Sequence, residues 1–137
     1  MSESNNNINN VLSRLKVITE QSVKKQQLII ESRNIEVLGR LQNDGYFISY
    51  WLPSFNLFRS PYEVFKLRSH LIKYNPNAIS LSHHDLDFYS RKFPNYNLHC
   101  WTNGLGNEED RLKIIELSRK NNVKVILVDF ENNFLKQ

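Results

Sequence analysis

The chain has 137 residues, 40% of them hydrophobic and 12% aromatic, a size and composition that suit one domain with its own core and exclude an intrinsically disordered protein. A formal charge of +4, from 18 basic against 14 acidic side chains, is too small an excess to imply DNA binding by itself. The single cysteine, Cys100, excludes an internal disulfide. No apolar run approaches the length needed to cross a bilayer, and Ser and Asn stand where a secretory leader needs a basic then an apolar stretch, so a cytoplasmic location is expected.

Residues 1–10 are strongly polar and are expected to form a flexible lead, with a single domain over 11–137. Val11, Leu12, Leu15 and Ile18 recur at helical spacing and predict a helix from about Ile8 to Lys24. Leu28, Ile29 and Ile30 form a short branched run that reads as a buried strand ending in the polar Glu31-Ser32-Arg33-Asn34. Ile35, Val37, Leu38 and Leu41 predict a second helix, closed by the turn Asn43-Asp44-Gly45. Tyr46 to Leu52 is aromatic and branched and is stopped by Pro53, the pattern of a second strand.

Ser60, Pro61 and Glu63 supply a cap, a first-turn proline and a capping-box acid for a helix whose buried stripe is Val64, Leu67 and Leu71. Ala78 to Ser82 is a third strand, followed by a brief helix through Leu86 and Tyr89. Asn97 to Thr102 is a fourth strand. Glu108, Glu109 and Asp110 open a helix running to about Lys120, where Arg119 and Lys120 suit its negative end. Val123 to Val128, apolar except for Lys124, is a fifth strand. A helix followed by five strands with four helices between them predicts an α/β fold of successive βα units and a parallel sheet. Spacing leaves two forms open, an arc of a TIM-type barrel and an open three-layer sheet.

In either form, function gathers at the carboxyl ends of the strands, so the expected site residues end strands. Glu31, His99 and Asp129 are the expected catalytic groups, and Trp51, Ser82, His83, Trp101 and Asn103 the expected ligand contacts. Alternation along the fourth strand places His99, Trp101 and Asn103 on one side and Leu98, Cys100 and Thr102 on the other. Glu31 paired with His99 or His83 across neighbouring strands would serve as general base and acid. Against this stand the structural readings that Glu31 caps the next helix, His99 is a hydrogen-bonded strand residue and the tryptophans fill a core. His83-His84-Asp85-Leu86-Asp87 holds metal-ligand types without zinc or calcium spacing, and its acids suit a helix start, so no metal site is assigned. Gly104-Leu105-Gly106 lacks a dinucleotide fingerprint. Lys66, Arg68, His70 and Lys73 beside Arg59 fit a solvated helix face better than a nucleic-acid patch.

Trp101-Thr102-Asn103, a helix, and then Val125-Ile126-Leu127-Val128-Asp129-Phe130 resemble the last strands of glycerophosphodiester phosphodiesterases and phosphatidylinositol phospholipase C-like barrels. Leu28 to Ser32 with the helix through Leu38 and Leu41 resembles a mid-barrel unit of that family, so the resemblance spans about Leu28 to Phe130. It implies a phosphodiesterase-related domain that binds a phosphate ester, with a divalent cation if it is hydrolytic. The family's catalytic His-Arg pair, its metal-binding acids and its second His lie on early strands that have no counterpart here. The implied domain would therefore be hydrolytic only when completed by a partner chain or a second subunit covering the open sheet edges. The alternatives are a non-catalytic binding or assembly module, and a small nucleic-acid-associated protein or nuclease. For the last, Val128-Asp129-Phe130-Glu131-Asn132 is similar to a PIN-like nuclease strand, although there the strand opens the domain.

Overall fold

The computed structural model describes residues 2–21, 23–54, 61–102 and 108–128. Helix α1 runs Ser2–Gln21, taking in the polar segment expected to precede it, and a short 3-10 turn, Lys25–Gln27, leads into the sheet. The order is then β1 (Ile29–Ser32), α2 (Ile35–Asn43), β2 (Phe47–Trp51), α3 (Pro61–Tyr74), β3 (Ala78–Ser82), a 3-10 turn His83–Asp85, α4 (Leu86–Lys92), β4 (Asn97–Thr102), α5 (Glu108–Lys120) and β5 (Val123–Val128). All four strand pairs are parallel and the order across the sheet is β1-β2-β3-β4-β5.

That order decides between the two expected forms. A doubly wound sheet reverses direction at a switch point and carries helices on both faces. Here the strands advance one at a time, and α2, α3 and α4 bury Leu38, Leu41, Leu67, Leu71, Leu86 and Tyr89 in one cluster. From the sheet the same cluster takes Ile48, Tyr50, Ile79, Leu81, Leu98 and Cys100, all of one strand parity. The helices therefore share one face, and α1 joins them through Leu12 and Leu15. The molecule is a two-layer, singly wound arc; the three-layer alternative does not hold among the described residues. No described helix is long and apolar enough to cross a membrane.

Local chemistry explains the joints. Asn34 caps α2, its Oδ1 accepting from the Glu36 and Val37 amides at 3.2 Å. Gly45, at φ +86°, reverses the chain after α2, and the Tyr46 amide donates back to the Leu41 carbonyl at 3.1 Å. Asn75 and Asn122, at φ 42° and 54°, make the equivalent left-handed steps after α3 and α5. Below β2 and β4, Asn77 Oδ1 accepts from the Ile48 amide at 2.9 Å while its carbonyl accepts from Asn97 Nδ2 at 3.0 Å. Tyr89, fully buried, donates its hydroxyl to the Pro53 carbonyl at 2.8 Å, tying α4 to the end of β2.

Candidate functional site

Because β-strand side chains alternate, the residues left out of the helix-side core line the opposite face. The pairings place Glu31 beside Ser49 and Ala78, Trp51 beside Ser80 and His99, and Ser82 beside Trp101. Three of these eight residues are serines, and two are the chain's only tryptophans. Such a face does not fill itself with hydrocarbon.

The face is concave. Strands two apart in a flat sheet lie about 9–10 Å from each other. Yet Phe47 of β2 stacks on His99 of β4 with centroids 6.0 Å apart and planes 10° from parallel, and Trp51 of β2 meets Trp101 of β4 edge to face at 5.5 Å. β3 lies between them and contributes only Ala78, Ser80 and Ser82 to this face. Small residues on the middle strand and curvature of the arc bring the flanking rings together, as in barrel interiors where alternate strands share a layer.

At the floor, Ser49 and Ser80 have no exposed surface and His99 retains 2%. Ser49 Oγ, His99 Nδ1 and the indole Nε1 atoms of Trp51 and Trp101 are buried and have no hydrogen-bond partner among the described residues. Leaving a buried polar group unpaired costs about 1–3 kcal/mol, so a cluster of them on one face is the part of the fold that its own packing explains least. At the rim the Arg33 guanidinium lies over the Trp51 ring, 4.1 Å from its centroid.

Electrostatics follow from burial. Desolvation raises the Glu31 pKa, and Ser80 opposes the rise. The Ser80 hydroxyl approaches the carboxyl without completing a well-formed hydrogen bond. Desolvation lowers the His99 pKa and keeps its imidazole neutral near pH 7. Burial pushes the Cys100 thiol up to about 11, which suits its place in the helix-side core and leaves it no nucleophilic role.

The expected site residues divide accordingly. Glu31, His99, Trp51, Trp101 and Ser82 share the concave face. Glu31 and His99 do not meet across neighbouring strands, because β2 and β3 separate β1 from β4; Ser80 lies between them, facing Glu31 and paired in register with His99. Nor does Glu31 cap α2, since Asn34 does that. Ser82 also caps the turn after β3, its Oγ accepting from the His84 amide at 3.4 Å. His83 belongs to that turn, its ring 3.7 Å from that of His84. Asn103 and Asp129 lie outside the described residues.

Sequence reasoning missed Ser49, Ser80, Phe47 and Arg33. Phe47, Ser49 and Trp51 alternate with the core residues Ile48 and Tyr50, and that period-two signal marks a second face. Among the described residues no group of three His, Cys, Asp or Glu side chains is placed to hold a metal. No family model matches the chain, and neither the curated proteins nor the solved structures hold a match.

Proposed function

We propose that the concave face binds a small phosphate ester, and that the chain acts chiefly as a binding domain. The observation that carries this reading is the donor-rich floor: the Ser49 hydroxyl and the two indole N–H groups are buried and, among the described residues, unpaired on one face. Donors in surplus call for a ligand rich in acceptors, and a phosphoryl group offers several on one atom. Arg33 at the rim supplies a planar cation for such an anion, and the net charge of +4 favours its approach. The indole edges supply an apolar wall for the esterified group.

Binding is favoured over hydrolysis by the separation of Glu31 from His99, since a general acid and base must both reach the reacting atoms. Both tryptophans are on this face, so intrinsic fluorescence reports on it directly. Titration with glycerol phosphate is expected to change the emission with a Kd of about 1 mM or tighter. The change should weaken in Arg33→Gln and vanish in Ser49→Val. An absent response to glycerol phosphate, or an equal response to uncharged glycerol, would overturn the reading. Turnover of a glycerophosphodiester with added magnesium or calcium, lost in both Glu31→Gln and His99→Gln, would replace binding by hydrolysis.

A further inference from the structure

A singly wound sheet covers its outer face by laying each helix over the groove between the strands it connects. At the β1 edge a helix is in place and, among the described residues, no strand lies beyond β1: α1 rests on the core through Leu12 and Leu15. Val11, Val17 and Ile18 on α1 are nevertheless 46–49% exposed, and Ile29 on β1 is 50% exposed. At the β5 edge the situation is reversed. Ile126 shares the helix-side parity of Cys100 but is 36% exposed, and Leu127, on the concave side, is 43% exposed.

Among the described residues, six of the eleven exposed large apolar side chains thus belong to α1, β1 and β5. Among the described residues, one edge has apolar helix surface to spare and no strand beyond it, and the other has apolar strand surface to spare and no helix over it. Each edge thus offers what the other is without among those residues.

We infer that two copies of the chain join head to tail, β5 of each pairing in parallel with β1 of the other and α1 of each covering Ile126 of the other. A two-fold axis satisfies both edges at once, because each copy presents one of each kind. The ring so formed has ten strands, five from each copy. A barrel of about eight strands is just filled by its own side chains, so a larger ring keeps a lumen, here lined by the concave face. With Ile29 of one copy opposite Val125 of the other, Glu31 stands beside Leu127 of that other copy, and the site is complete only in the pair. The inference stands on the edges alone and does not rest on the phosphate-ester reading.

Light scattering on the full chain, diluted from about 100 μM to about 1 μM, is expected to give twice the chain mass at the upper end. Cysteine cross-linking then reads the geometry in a Cys100→Ser background. Ile29→Cys with Val125→Cys in one chain should form an interchain disulfide on oxidation, while either substitution alone should not. Circular dichroism on each variant establishes that it is folded. A monomer at every concentration overturns the proposal. So does a dimer in which either single variant, Ile29→Cys or Val125→Cys, cross-links to its own copy, or one in which the double variant forms no link.

Discussion

Trp51 and Trp101 sit two strands apart and still touch, their rings crossing at 76° with centroids 5.5 Å from each other. The contact exists because β3 places serines between them and the sheet curves toward that side. It predicts energetic coupling. A double-mutant cycle with Trp51→Ala and Trp101→Ala, read by urea unfolding, should give a coupling of about 0.5–1.5 kcal/mol. Additive losses would mean that the rings do not hold the arc's curvature.

Glu31 carries a pH dependence whose sign is set by burial. Its folded pKa lies above the ordinary value of 4.5, so the folded state holds the proton more tightly than the unfolded chain does. The favourable contribution is fully present below about 4.5 and is lost as pH rises through the higher folded value. Glu31→Gln should therefore be as stable as the wild type or more so at pH 7, and should flatten the stability profile above pH 4.5. A clear loss of stability at pH 7 would show that the carboxylate is paired and not merely desolvated.

His99 works in the opposite direction. Burial lowers its folded pKa below about 6.5, so the unfolded chain binds the proton better and stability falls as pH drops through 6.5 toward the folded value. His99→Phe keeps a ring against Phe47 and removes the unpaired Nδ1. Thermal melts at pH 7 and pH 5 should show the wild type losing more of its Tm on acidification than this variant, which at pH 7 should lie within about 1 kcal/mol of the wild type.

Tyr89→Phe removes a fully buried hydroxyl and leaves the Pro53 carbonyl without the donor that reaches it at 2.8 Å. A loss of about 1–2 kcal/mol is expected in chemical unfolding, with the denaturant slope unchanged. An unchanged midpoint would show that α4 does not anchor the end of β2.

Gly39 lies inside α2, where alanine ordinarily gains about 1 kcal/mol. A Cβ at that position would fall 2.7 Å from Tyr74 Cδ1, the point at which α3 packs on α2. Gly39→Ala should destabilise the wild type and become neutral or stabilising in a Tyr74→Ala background. Stabilisation in both backgrounds would show that the tyrosine ring moves aside freely.

The sequence by itself determined the elements, since β3, β4, α5 and β5 fall where periodicity and punctuation predict them. Capping and turn chemistry are local, and branched runs such as Val123 to Val128 have few other ways to be buried. Parity along β4 also followed from the pleat alone, which is why His99 and Trp101 were separable from Leu98 and Cys100. Strand order was not legible, because neighbours across a sheet are chosen by long-range packing that no local pattern encodes. Only the tertiary structure decided that β1 and β4 are separated by β2 and β3, that Asn34 and not Glu31 caps α2, and that Ser49 and Ser80 form a buried polar floor. A serine in a short strand looks the same in sequence whether it faces water, a core or a concave site; curvature of the assembled sheet makes the difference.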